Sequence, residues 1–545
     1  MPKLRIHTVS DVVITGGGVG GLAAALALLR AGRTVVLFEE TEWIGGQLTS
    51  QAVPPDEHGW IEQLGSTGSY RDFRRRVREY YFRNYPVLGK NRNAPCFNPG
   101  NGWVSPLCHE PRVALAVLHD LLAPHLSSGR FQLLLRQRVI AVRKEEENRV
   151  REVISKNLSD GEEEKHQAKY FLDATENGDL LPMAEMEYVT GSESREETGE
   201  PGASPESRTD NVQAFSFCFA MEHREGENHL GSKPDHYDYW RDYVPALSPP
   251  WPGRLLSWEA PNPRTMETMR YHFDPHREKP GPFSGLWAFR RIVDRAQFEP
   301  GFFASDLCLV NWPMVDYLGG NLLTVNEAEK KEHLEAARQL SLSLFYWLQT
   351  EAPRPDGGQG WPGLRLRPDA TGTENGLAMA PYIREARRIR ARHTIREQEV
   401  SAQHRPGEKL AERYEDTVGI GYYRIDLHPS TGGDNYIDVP SLPFRIPLGA
   451  LIPVSMENLL PAGKNIGTTH ITNGCYRLHP VEWNIGESAG HLLHFCMDQG
   501  CPPREVYENQ ALLSCFQDLL KERKVELEWP EDLNLEEGDP HAHAH

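Results

Sequence analysis

The stretch "YRIDLHP" (Tyr423 to Pro429) places a carboxylate and an imidazole two residues apart. Residues i and i+2 of a strand share a face, so Asp426 is positioned to orient His428. An imidazole held in this way takes an O–H or N–H proton near neutral pH. Isolated histidines are also common structural residues, and the sequence alone leaves both roles open for His428. A second group follows in "THITNGCYRLHP", with His470, Arg477 and then His479 directly before Pro480. These are alternative bases, and Arg477 is a cation able to steady developing negative charge. "PYIREARRI" gathers Arg384, Arg387 and Arg388 around Glu385 and reads as an ion-pair network. Asn311-Trp312 and Cys108-His109 are weaker candidates. No cluster has metal-ligand spacing.

What these residues act with is set by the N-terminal stretch "VVITGGGVGG" (Val12 to Gly21). Gly16, Gly18 and Gly21 have G-x-G-x-x-G spacing, with Gly20 inside the motif. "DVVIT" before them predicts a buried strand, "LAAALALLRAG" after them a helix, and "RTVVLFEE" a second strand. That is the βαβ unit of a dinucleotide site. Gly16 permits the tight turn, Gly18 lets main chain approach a diphosphate, and Gly21 lets helix and strand pack closely. The helix N-terminus supplies N–H groups and positive partial charge. Glu39, ending the second strand, stands where an acid meets ribose hydroxyls. The pair Gly45-Gly46, followed by Gln47, resembles the FAD-binding subfamily of such proteins rather than the nicotinamide-binding one.

The chain has 545 residues, enough for two or more domains. Its net charge of −18 argues against nucleic acid or an anionic membrane as a partner. The longest apolar run, Leu22 to Leu29, is far short of the roughly 20 residues of a membrane span. The start, "MPKLRIHTVS", lacks the apolar core of a signal peptide. Eight cysteines without C-x-x-C fit a reduced, cytoplasmic setting. The runs "KEEEN" and "DGEEEK" read as hairpin or loop tips. Residues 191–210 and 351–373, rich in Gly, Pro and polar residues, read as long surface loops. Between them a helix is expected from Glu327 to Gln349 with Asn326 as N-cap. The end of the chain reads as a disordered acidic tail, with His541, His543 and His545 at most a weak metal site.

Further blocks extend the dinucleotide unit. They are "FQLLLRQRVIAVRKE", "DATENGDLLP", "PYIREARRI", "YRIDLHP", and "NLLPAGKNIGTTH" with "YRLHPVEWNIGESAG". Together they resemble the FAD-dependent oxidoreductases related to the flavoprotein subunits of succinate dehydrogenase and fumarate reductase. The resemblance implies an α/β fold, a Rossmann-like FAD-binding domain of the glutathione-reductase type with an inserted α+β substrate domain. The implied limits are 10–211 and 446–500 for the FAD-binding domain, 212–445 for the substrate domain, and 501–545 for a C-terminal helix and tail. It implies FAD contacts from Gly16, Gly18, Gly20, Gly21, Glu39, Gly46 and Gln47. Val139 would pass the adenine, and Ala174 and Thr175 would lie beside the cofactor. Gly463, Asn465, His479, Asn484 and Ile485 would meet the flavin end, where the last helix points its N-terminus at the pyrimidine. Two positions depart from the pattern. Glu176 replaces the glycine of an "ATG" strand end, and Lys464 stands where many relatives carry a ribityl-binding acid.

A second strand–GxGxxG–helix unit is absent, which argues against a self-contained pyridine-nucleotide reductase. The expected function is therefore transfer of a hydride from a C–OH or C–N bond of a polar metabolite to FAD. Electrons then pass to O₂ or an external acceptor. The inserted region, rich in Trp, Tyr and Arg (Trp287, Arg290, Trp312, Tyr317, Tyr382, Tyr423), suits a polar organic substrate. His428, His470 and Arg477 are the candidate catalytic residues. Double-bond reduction, monooxygenation and a structural or relay flavin remain alternatives. Substrate, acceptor, covalent attachment of FAD and oligomeric state are left open.

Overall fold

The computed structural model describes residues 5–276 and 285–538. The three C-terminal histidines lie outside them. A seven-stranded sheet organises the N-terminal part. In it β1 (Arg5–Thr15) is flanked by β2 (Val35–Glu39) and β6 (Glu163–Asp173), both parallel to it. β3 (Phe131–Leu135) extends the parallel set beyond β2. β4 (Gln137–Glu146) and β5 (Arg149–Asn157) form an antiparallel meander onto β6, giving the order β3-β2-β1-β6-β5-β4. The stretch 131–145 breaks at Arg136, which takes φ +54° and redirects the chain from β3 into β4. The acidic runs do sit at the ends of the two hairpins made by β4, β5 and β6.

The chain returns to this sheet much later. Leu459–Pro461 pairs in parallel with the C-terminal end of β6, Pro461 opposite Asp173. This brings "NLLPAG" beside "DATE" and beside the turn after β1. Helix α1 (Val19–Arg30) leaves that turn and packs against the helix His479–Gln499. Small residues allow the approach. A Cβ on Gly20 would lie 1.8 Å from Ala462 O, and one on Gly486 would lie 2.0 Å from Gly20 O. A side chain at Gly20 would push α1 off the main chain at Ala462, and one at Gly486 would separate the two helices.

A second hydrophobic core lies in the 215–383 region and takes in Tyr436. Its antiparallel sheet has the order Arg291–Val293, Leu307–Val310, Phe219–His223, Leu364–Leu366. Against it lies the helix Glu327–Thr350, where Asn326 accepts hydrogen bonds from the N–H groups of Ala328 and Glu329 and Glu329 completes a capping box. Such a cap contributes about 1 kcal/mol. The strand Leu364–Leu366 and the turn Pro368–Thr371 fall inside the 351–373 segment expected as loop. The flanking Gly and Pro residues masked a strand whose Arg365, together with Arg367 just beyond it, pairs with Glu222 on the neighbouring strand.

Residues 191–210 are likewise more than surface loop. They include the helix Arg195–Thr198, and Ser192, Ser194 and Glu200 are buried. Their polarity is spent on partners inside the protein: Glu200 accepts from Thr469 Oγ1 at 2.6 Å and Glu193 from the His470 N–H at 3.0 Å. Nor do residues 529–538 form a free tail, the stretch beyond them lying outside the described residues. After helices Pro503–Glu508 and Gln510–Glu522, Trp529 and Leu533 pack with Trp60 and Tyr422, and Gly59 N–H donates to Gly538 O at 2.9 Å. No described helix is long and apolar enough to cross a membrane, and the eight cysteines form no disulfide.

Candidate active site

The glycine turn is shaped for close approach. Gly16 has φ +102°, and a Cβ there would lie 2.1 Å from Ala174 O, so only glycine fits. Around the turn lies a cavity of about 370 Å³. Gly16, Gly18, Glu39, Val139, Ala174 and Thr175 line it, six of the residues expected to bind FAD. Glu39 accepts from Gly17 N–H at 2.9 Å and from Thr41 N–H and Oγ1 at 2.8 Å. Burial nevertheless pushes its carboxyl up to about 7. Asp173, at the end of β6, is raised to about 7 for the same reason, although it accepts from Thr175 N–H at 3.0 Å and Thr175 Oγ1 at 2.7 Å.

The two departures from the family pattern prove to be partners. Lys464 Nζ donates to Glu176, and Glu482 lies 3.6 Å away on the other side. Glu176 Oε1 sits against the turn, 2.8 Å from where a Cβ on Gly18 would be and 3.1 Å from one on Gly46. An anion thus already rests at the N-terminal end of α1, which has no acidic residue in its first turn and no side-chain cap. Gln47 bridges this group to the next, donating to Glu482 and to Arg477 O, the latter at 3.1 Å. Burial, with Glu176 adding repulsion, pushes Glu482 up to about 7 against the pull of Lys464.

A second polar cluster continues from there, and four distant segments build it. Arg477, closing the helix His470–Tyr476, donates to Tyr382 Oη at 2.7 Å and to Asp426 at 2.9 Å (O) and 3.2 Å (Oδ2). Thr469 caps that helix with Thr472 in a capping box, a signal that the glycine and cysteine of "NGC" obscured. His428 follows the strand Ile425–Leu427, and its Nδ1 lies 2.6 Å from Asp316 Oδ2. The expected orienting residue, Asp426, is 3.8 Å from Nε2 on the other side of the ring. Asp316 therefore holds the imidazole, and Asp426 is held by Arg477.

Asp316 is itself fixed. It starts a short strand paired with Phe215–Ser216, accepts from Ser216 Oγ at 2.7 Å, and lies 3.0 Å from Arg384 Nη2. Burial alone would raise its pKa, but Arg384 and His428 hold it below the ordinary carboxylate range. Arg384 also stacks 4.7 Å above the Tyr382 ring. Tyr436 stands edge-on to His428 with ring centres 5.6 Å apart, and its buried hydroxyl has no hydrogen-bond partner in the described structure.

His479 begins the helix that runs to Gln499, as expected from Pro480, and its Nδ1 accepts from Asp56 N–H at 3.1 Å. Burial lowers its pKa to about 4, Arg290 and His109 adding to this and Asp56 opposing it. It is therefore neutral, with its proton on Nε2. That nitrogen, like Gln47 Oε1, is buried without a partner in the described structure. Asp56 pairs with Arg290 at 3.2 Å.

Other expected contacts are committed elsewhere. His470 Nδ1 lies 3.0 Å from both Glu385 oxygens, and Glu385 pairs with Arg388 at 2.5 Å, so His470 belongs to the Glu385 ion-pair network rather than to the His428 cluster. Glu385 stays below the ordinary range despite burial, because His470 and Arg388 pull it down. Asn465 donates to Asp173 O at 3.0 Å and accepts from Gly463 N–H at 3.3 Å. Asn484 donates to Ile420 O at 3.0 Å, on the side of its helix that faces the strand Thr417–Gly421, and Ile485 is core. Gly21 packs its own turn, 2.1 Å separating its would-be Cβ from Gly16 O. Asp56, Asp316, Tyr436 and Glu482 had no sequence signal beyond a polar residue in an apolar or proline-rich run.

The chain matches the FAD dependent oxidoreductase family from residue 11 to residue 522. It belongs to that family. FAD is accordingly its cofactor, and the residues present fit it: a cradle that a side chain would fill, and buried polar atoms without a partner in the described structure at His479 and Gln47. Local similarity to curated proteins is short. It reaches 39% identity over 69 residues with an L-amino acid oxidase of Cerastes cerastes, covering 13% of each chain. It reaches 41% over 54 residues with the FAD-dependent monooxygenase atnJ of Arthrinium sp, covering 10% of this chain and 13% of that one. The chain thus matches about an eighth of the length of these relatives. Among solved structures, the flavin-dependent monooxygenase PieE in complex with FAD and substrate aligns at 14% identity over 40% of this chain and 36% of that one, with a TM-score of 0.23.

Proposed function

We propose that this family member oxidises a C–OH or C–N bond of a polar small metabolite, with His428 taking the O–H or N–H proton. The single observation that carries the reading is the 2.6 Å contact between His428 Nδ1 and the buried, ionised Asp316. It fixes the tautomer with hydrogen on Nδ1 and leaves Nε2 as the accepting atom. FAD, when bound, supplies the hydride acceptor. Arg477 and Tyr382 hold a polar substrate group beside the imidazole, and Tyr436 offers a further hydroxyl. Neutral His479 donates from Nε2, and with Gln47 it holds the flavin end. The resemblance of "YRIDLHP" and "YRLHPVEWNIGESAG" to the succinate dehydrogenase and fumarate reductase flavoproteins supports reading this junction as the reaction site. Electrons leave to O₂ or an external acceptor.

The test is anaerobic. Panels of hydroxy and amino metabolites are mixed with the FAD-loaded protein, and flavin absorbance is followed. Bleaching by one chemical class, reversed by air or an acceptor, is the expected result. A flavin that no metabolite bleaches would make the cofactor a structural or relay element. Rapid bleaching by NADPH would move the reading to a monooxygenase or reductase.

A further inference from the structure

The cavity along the glycine turn has an outer wall drawn from the other core. Glu327, Lys330, Leu334 and Arg338 of the helix Glu327–Thr350 line it together with Gly16, Gly18 and Glu39. These positions recur at three- and four-residue spacing, so one face of the helix looks into the cavity. The helix therefore does more than cover the second core.

The charges around this cavity are matched except at one place. Arg138 pairs with Glu40 at 2.7 Å and reaches Glu327 at 3.9 Å. Glu176 is held by Lys464, and Asp179 by Arg387 at 3.0 Å. Arg338 lies 4.6 Å above the Phe217 ring and 3.4 Å from Glu335. Glu39 is satisfied by main-chain N–H groups and Thr41. Lys330 alone among the charged residues lining the cavity has a half-buried side chain and no ion pair in the described structure. FAD brings a diphosphate, and its two negative charges enter a site whose carboxylates already have partners.

We propose that Lys330 supplies counter-charge to the FAD diphosphate, making this helix part of the dinucleotide site. This rests on reading the cavity as the FAD site. It implies that cofactor retention depends on how the second core sits on the first.

The test uses the FAD-loaded protein, with the FAD dissociation constant measured by flavin fluorescence on dilution at several salt concentrations. Lys330→Met is expected to weaken retention about fivefold at low salt, the difference shrinking as salt screens it. Lys330→Arg should keep the wild-type value, and Lys331→Met, one residue along on an exposed position, should change nothing. A Lys330→Met protein within twofold of wild type at every salt concentration overturns the proposal. So does a shift that salt leaves unchanged, since that reports packing rather than charge. Gly18→Val separates the two readings. If it keeps full FAD, the cavity assignment itself fails; if it loses FAD while Lys330→Met is silent, only the role of Lys330 fails.

Discussion

The dinucleotide turn is made mostly of main chain from one continuous stretch, Arg5 to Glu39. The His428 cluster is made of side chains from four distant segments around residues 316, 382, 426 and 477. In the first, glycine does its work by lacking atoms, so spacing alone reveals it. In the second, each member works through a partner remote in sequence, 112 residues away for His428 and Asp316 and 95 for Arg477 and Tyr382. A turn of the first kind tolerates almost no change at its glycines. A cluster of the second kind degrades stepwise, as each link in the chain of hydrogen bonds is removed. The contrast yields graded expectations.

The largest effect belongs to the turn. Gly18→Val should abolish stoichiometric FAD while leaving the fold intact, because the nearest obstacle to its side chain is the tip of Glu176 rather than main chain. Absorbance of the purified protein reads this directly. Full flavin content in that variant would mean that the turn is not the phosphate site.

The cluster should respond next. His428→Gln is expected to retain FAD and lose about 10²–10⁴-fold in the rate of flavin reduction by substrate, the range for a removed general base. Asp316→Asn should lose up to about 10⁴-fold, because an amide no longer selects the tautomer. It should also lower thermal stability, since Arg384 is left buried without its anion. Asp426→Asn should lose less than about tenfold, having no direct bond to the ring. Equal losses for the two aspartates would refute the assignment of Asp316 as the orienting residue.

The smallest effect is thermodynamic. Glu482 is raised from 4.5 to about 7 in the folded chain. A raised carboxyl favours the fold at low pH, and that contribution is lost as pH rises from the unfolded value toward 7. Glu482→Gln, which stays neutral, should therefore gain on wild type between pH 5 and pH 8, by roughly 1 °C in Tm for each kcal/mol in a chain of 545 residues. Calorimetry at the two pH values checks this, and a gap that narrows with pH contradicts it.

Much of the FAD-binding half was readable because it is local. The spacing of Gly16, Gly18 and Gly21, the strand before them and Glu39 after them each follow from one backbone requirement. Asn326 at a helix start was equally plain. The rest was hidden for physical reasons. Composition suggested loops at 191–210 and 351–373, but those polar residues are paired within the protein, Glu200 with Thr469 and Arg365 with Glu222. Asp316 sits in "NWPMVDY", where nothing local marks a carboxylate as functional. Its role appears only when strand pairing brings Ser216 and Arg384 beside it. The Glu176–Lys464 pair was visible as two separate departures and intelligible only when Leu459–Pro461 docked beside β6.

The central claim is that the chain's own cluster at His428 serves a metabolite rather than a nicotinamide. Anaerobic rapid mixing of the FAD-loaded protein tests it most directly, with a hydroxy and amino metabolite panel in one arm and NADH or NADPH in the other. The account predicts that a polar metabolite reduces the flavin at rates of ordinary turnover, about 10 s⁻¹, in a reaction that His428→Gln slows severely, while NADH and NADPH reduce it slowly or not at all. Fast reduction by either nicotinamide, unaffected by His428→Gln, would contradict it.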